Sequence, residues 1–215
     1  MTRFTKRHAL ILAPPLLLAT TTAGFQLLTR RFGRRWGYFG GFLFYWLFWC
    51  LLFPRWVLGP GRIRWLFQAP PAPLGDPAWQ GGLCLSLPLV LGYGYAFPRA
   101  LPEARPGLVL GSAAFAAGNG VCEEILWRGT YQAAFPDNVA LNTVYPALGF
   151  GLWHMAPQTV VPNRSPGGSV SYVAVASIVG LLWATVVRRT GSIRWTTLAH
   201  VLFDFSGLGA RSFRA

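Results

Sequence analysis

Carboxylates are scarce in this chain. Its 215 residues include six Asp and Glu against nineteen Lys and Arg, with three His and three Cys. Charged residues make up 12% of the sequence, about half of the roughly 25% usual in soluble domains. That shortage excludes an ordinary water-facing globular domain. The cysteines, Cys50, Cys84 and Cys122, are odd in number and widely spaced. They form no CxxC pair and read as small buried hydrophobes. Internal repeats and low-complexity tails are also missing.

Apolar sequence is what the chain has in abundance. Hydrophobic residues make up 53% and aromatics 15%, with ten Trp, a profile that suits helices meeting membrane interfaces. A helix crossing the bilayer needs about 20 mainly apolar residues. Candidate segments lie at 9–28, 37–53, 81–98, 107–122, 139–156, 169–187 and 193–208. Residues 123–135 read as a turn or a re-entrant helix, and 54–80 and 157–168 as loops rich in Pro, Gly and Arg. The first segment follows Arg3, Lys6 and Arg7 as a signal peptide would. It runs on to Leu28 and then meets four arginines, which reads as an anchor. The expectation is an all-α, polytopic bundle of about seven to eight transmembrane helices. It forms one integral membrane domain over 1–215, with N-terminal membrane helices at 1–110 and a C-terminal core at 111–208.

The basic excess fits that reading. Formal net charge is +13, which in a soluble protein would suggest nucleic acid. Here the charges fall in short clusters between apolar runs, such as "RRFGRR" at 30–35 and "RR" at 188–189. Arginines at the ends of membrane helices reach headgroups and attract anionic lipid. Membrane lipids are therefore expected partners and nucleic acid is not. Arg and Lys divide almost evenly between the two sides, so the positive-inside rule assigns no orientation. Eighteen of the nineteen basic residues are Arg, which fits a GC-rich bacterial genome and a bacterial inner membrane.

Within this apolar chain the acid–base groups cluster. Asp, Glu and His number nine, and five occupy three short motifs; the others are His8, Asp76, Glu103 and Asp137. The first motif is "VCEEILWRGTYQ", 121–132. Adjacent helical residues point about 100° apart, whereas positions four apart share a face. Glu124 and Arg128 are thus the natural ion pair, and Glu123 is aimed elsewhere. The second is "FGLWHMAP", 150–157, with Phe150 and His154 four apart. The third is "TLAHVLFDF", 197–205, with His200 and Asp204 four apart. Taken singly, these are a salt-bridged interfacial helix, a core histidine and a local His–Asp hydrogen bond. Ionisable groups at membrane depth are, however, functional candidates by default.

Taken together, the motifs resemble those of the CPBP family of intramembrane endopeptidases, the CAAX-protease and bacteriocin-processing (Abi-type) group, which includes myxosortase-like members. The family pattern Glu-Glu-x-x-x-Arg falls on Glu123, Glu124 and Arg128. Phe-x-x-x-His falls on Phe150 and His154, and His-x-x-x-Asn/Asp on His200 and Asp204. The flanks "LGFGLWH" and "TGSIRWTTLAH" are also similar, and the likeness covers roughly 115–208.

The resemblance implies hydrolysis of a peptide bond in a membrane-embedded or lipidated substrate by a glutamate-activated water. It implies Glu123 as general base, with His154 holding the water or shuttling its proton. His200, with Asp204, would steady the oxyanion, while Glu124 and Arg128 lock the geometry. No cofactor is expected on this reading. The alternative is zinc on Glu123, His154, His200 and Asp204, which supply N/O ligands of the right type. Other intramembrane protease classes are excluded, because HExxH, GxSG and GxGD are all absent from the sequence. The competing classes are a proton-coupled transporter and a non-catalytic immunity or assembly factor.

Overall fold

The computed structural model describes residues 3–163 and 166–214; the side chains of residues 3–5 and of Arg214 are outside that description. The N-terminal Arg3 charge and part of the 157–168 loop therefore fall outside it. Among the described residues the chain is helical, with no strand. We number the principal helices α1 (3–32), α2 (34–58), α3 (78–103), α4 (106–134), α5 (140–153), α6 (Gly168–Thr190) and α7 (Arg194–Ser206).

Each apolar segment is helical, but the helices differ in kind. Three stretches are long and apolar enough to cross a membrane: Lys6–Leu58, Ala78–Glu103 and Gly168–Thr190. The first contains α1 and α2 folded back on each other at Gly33, whose φ of 77° is left-handed and favours glycine. Close approach of the legs requires more glycine. A Cβ on Gly37 would lie 2.3 Å from the Thr29 backbone, and one on Gly41 2.2 Å from the Phe25 ring. The outer surface is apolar, with Val170 79% exposed and Leu110 72% exposed. Such a surface suits lipid rather than water.

Helices α4, α5 and α7 are the ones that carry the polar motifs, and the faces that bear Glu123, Glu124, Phe150 and His200 pack inward. Glu123 through Tyr131 are all buried. This stretch is neither a turn nor a separate re-entrant piece. It continues α4 through a π-helical run, Glu124–Thr130, into Tyr131–Ala134. The helix persists because its charges find partners inside the bundle, as described below. The loop boundaries also shift. Residues 54–58 finish α2, with Pro54 just after the π-helical run Tyr45–Leu52. Residues 78–80 begin α3, and Ile63–Phe67 forms a 3₁₀ turn within the loop.

Small residues set the spacing around the polar helices. On α5, a Cβ at Gly151 would sit 1.9 Å from Ser177 Oγ of α6. On α4, a Cβ at Gly120 would sit 2.9 Å from Val201 Cγ2 and 3.0 Å from the Val201 amide nitrogen of α7. Membrane helices associate through such close backbone approach. Gly118, one turn-face away, has only the Trp46 ring at 3.8 Å. Gly120→Ala is expected to destabilise the protein by about 1–3 kcal/mol through overpacking. Gly118→Ala should be neutral or stabilising, since Ala exceeds Gly in helix propensity by about 1 kcal/mol. Thermal unfolding of both variants in detergent checks the opposite signs.

Candidate active site

The buried carboxylates of α4 converge on one histidine of α7. His200 Nε2 lies 3.2 Å from Glu123 Oε2, and its Nδ1 lies 3.0 Å from Glu124 Oε1. Adjacent residues on a helix diverge, yet here both glutamates reach the same ring because it stands between them with a nitrogen toward each. An imidazolium can donate at both nitrogens, whereas a neutral ring has one donor and one acceptor. A charged ring therefore matches two flanking carboxylates best.

Glu124 also meets the arginine expected from its spacing. Arg128 Nη1 is 3.1 Å from Glu124 Oε1, and both side chains are buried. The pair is close but not aligned as a hydrogen bond, and Arg128 Nη2 donates none. Aromatic faces cover the guanidinium instead, with the Phe150 ring centroid at 4.1 Å and that of Trp183 at 5.5 Å. Desolvated cation–π contacts of this kind contribute about 2 kcal/mol or more.

Glu123 is not the unpaired member of the doublet. Tyr45 Oη donates to its Oε1 at 3.1 Å, and Asn119 Nδ2 donates to its Oε2 at 3.0 Å. Tyr45 in turn accepts from Trp127 Nε1 at 2.8 Å and stacks on Trp153 at 3.9 Å. The same Asn119 amide donates to Asp204 Oδ2 at 2.8 Å. Asp204 is more distant from the histidine with which it shares a helical face, at 3.7 Å from His200 Nε2.

His154 stands one aromatic ring away from this cluster. Its Nδ1 lies 2.8 Å from the Phe150 carbonyl. That oxygen is available because the His154 amide turns to Gly151 and Leu152 as α5 ends. A carbonyl only accepts, so Nδ1 carries the proton, and Nε2 presents a lone pair when the ring is neutral. The Phe150 ring centroid is 4.7 Å from that of His154 and 5.9 Å from that of His200. Phe150 thus separates the two histidines and supports the Arg128 charge.

Sequence reasoning identified Glu123, Glu124, Arg128, His154, His200 and Asp204, and all but His154 stand within one charge-linked cluster. It missed Asn119, Tyr45, Trp127 and Trp183. A signal for Asn119 exists: it precedes Glu123 by four residues and therefore shares its helix face. Nothing local marks Tyr45, which comes from a helix 78 residues earlier.

Of the donor set considered for zinc, His200 has both ring nitrogens engaged by carboxylates. Among the described residues no group of three or more His, Cys, Asp or Glu is disposed to hold a metal ion.

Residues 105–206, which carry all three motifs, match the family described as type II CAAX prenyl endopeptidase Rce1-like. The match covers just under half of the chain. Members of this family are proteases that hydrolyse peptide bonds. The matched domain together with the apolar helices makes the chain an integral membrane protein. No curated protein and no solved structure matches the chain.

The Glu124–Arg128 pair generates a stability prediction. Removing one member of a buried ion pair costs roughly 3–5 kcal/mol because the other charge is stranded. Glu124→Ala should cost more than Arg128→Ala, since it also removes one of the two carboxylates that hold His200. The double variant should be less destabilised than the sum of the two, which thermal unfolding of all four proteins measures.

Proposed function

We propose that the protein cleaves a peptide bond in a membrane-embedded or lipidated substrate, with Glu123 activating the water. The observation that carries this reading is the environment of Glu123. It is fully buried in the domain's own motif, with Tyr45, Asn119 and His200 holding both of its oxygens. A carboxylate held in this way is oriented before substrate arrives, which general-base catalysis requires.

In the proposed reaction Glu123 takes a proton from a water whose oxygen attacks the scissile carbonyl carbon. The carbonyl becomes a tetrahedral oxyanion, stabilised by the positive charge of His200 and Arg128. The C–N bond then breaks, and the proton held on Glu123 passes to the departing amine. His154, through its Nε2 lone pair, orients the water or relays its proton. Asp204 acts through the Asn119 amide and His200 rather than on the oxyanion itself, since an ionised carboxylate would repel that charge. Glu124 and Arg128 hold the histidine.

A bundle of seven to eight membrane helices belongs to the same proposal. Helices α4, α5 and α7 would lie at bilayer depth within the collar formed by α1–α2, α3 and α6. Their buried polar groups favour this, because they face one another rather than lipid. A lipidated, CAAX-type substrate is favoured by a groove of about 520 Å³ between α2, α4 and the C-terminal segment, lined by Trp36, Phe39, Trp46, Phe115 and Phe213 among others. Trp46 connects the groove to the site through its 2.9 Å hydrogen bond to Asn119. A bacterial inner membrane is the proposed location.

Glu123→Gln keeps the shape of the side chain and removes the base. Turnover of a prenylated CAAX peptide should fall about 10²–10⁴-fold, while the variant still accumulates in the membrane. Near-normal cleavage would reject Glu123 as the base.

The same reading makes the chemistry independent of metal, which both His200 nitrogens support by their engagement with carboxylates. Activity should survive a strong chelator, and Asp204→Asn should be tolerated. Asn can take part in hydrogen bonding here but is a poor replacement for a zinc carboxylate. About one equivalent of tightly held zinc together with an inactive Asp204→Asn would overturn this part of the proposal.

A further inference from the structure

We infer that Asn119 is a positioning residue of the active site, the amide that holds Glu123 and Asp204 in place together, with its orientation set by Trp46. The inference rests on the proposal that Glu123 is the base and extends it to a residue outside the three motifs.

An Asn side chain has two N–H donors on Nδ2 and an acceptor on Oδ1. Here Nδ2 has two carboxylate acceptors, Glu123 Oε2 at 3.0 Å and Asp204 Oδ2 at 2.8 Å. The opposite end, Oδ1, accepts from Trp46 Nε1 at 2.9 Å. The side chain is buried, at 6% exposure.

The two ends of an amide are usually interchangeable to the eye, but not here. An indole nitrogen is only a donor, so the end facing Trp46 must be the oxygen. The NH₂ end must then face the carboxylates. Trp46 thus decides that Asn119 presents donors, not an acceptor, to the two acids.

Charge explains why donors are needed. Three carboxylates, Glu123, Glu124 and Asp204, surround this site with Arg128 and His200 as its cations. Arg128 and one His200 nitrogen are taken by Glu124. Glu123 and Asp204 share the remaining nitrogen of His200 at unequal distances, 3.2 and 3.7 Å. The Asn119 amide supplies a donor to each acid from the other side. It links α4 to α7 at the level of the base and keeps Glu123 from turning toward Asp204. Its neighbours suit this placement, since Gly118 faces the Trp46 ring of α2 and Gly120 faces Val201 of α7.

The decisive experiment exchanges the amide and the acid. Asn119→Asp keeps the shape but turns an acceptor toward two carboxylates, and should lower kcat on a prenylated fluorogenic CAAX peptide about 100-fold, with KM within about twofold. Asp204→Asn in the same chain restores one amide between the helices and should recover most of that loss. Trp46→Phe removes the donor that orients the amide, so kcat should fall by a smaller factor.

Infrared spectra of the carboxylate stretch need no turnover and provide a second reading. Asn119→Leu should shift a band that is absent from Asp204→Asn. Normal kcat in Asn119→Asp, an exchange variant no more active than Asn119→Asp alone, or an unshifted band would overturn the inference. If Asn119→Asp does not fold, Trp46→Phe and the infrared comparison decide. A dead Glu123→Gln beside a fully active Asn119→Asp rejects the role of Asn119 alone, whereas an active Glu123→Gln rejects the base.

Discussion

His200 stands between two glutamates in a place where none of the three has access to bulk water. Isolated, each would be too costly to desolvate as an ion; the histidine offsets one carboxylate charge and Arg128 the other. This contact ties α7 to α4 at the centre of the bundle. The rest of the interior follows from it. Arg128 is drawn to Glu124, and its flat face is covered by Phe150 and Trp183. Tyr45 and Asn119 complete Glu123. Removing the histidine would leave two like charges side by side on one helix.

That constraint also explains the two kinds of helix. The stretches containing α1–α2, α3 and α6 are long and apolar enough to cross a membrane. Helices α4 and α7 carry charged residues whose partners lie largely on the facing helix. A polar residue at depth is tolerated only when it is satisfied internally, and the charges of α4 and α7 satisfy one another. Glycine at positions 120 and 151 then permits the close approach on which the short contacts depend. Chemistry and packing are thus one problem, since hydrogen bonds near 3 Å between side chains on different helices leave little freedom in helix separation.

Much of this was legible in the chain itself. The scarcity of acids made every remaining carboxylate conspicuous, and four-residue spacing paired Glu124 with Arg128. The apolar segments were visible as runs, and each became a helix. The π-helical run at Glu124–Thr130 was less legible. Its carboxylates and glycine resemble a break, and only their buried partners show why the helix continues. The pairing of His200 with Asp204 was overestimated for a related reason. Positions four apart share a face, but a shared face does not set the rotamer, and the two glutamates hold the ring more closely than Asp204 does.

The sequence by itself determined which residues could do acid–base chemistry, because charge within an apolar chain requires a compensating partner and few candidates existed. It also determined the helical, membrane-bound character of the chain, because the length and hydropathy of a segment are local properties. Only the tertiary structure decided which partner each group takes. Tyr45 and Trp46 approach α4 from a helix more than seventy residues earlier. His154 turns its Nδ1 back to its own helix and remains apart from the carboxylates. Such contacts depend on the separation and rotation of packed helices, which no local spacing encodes.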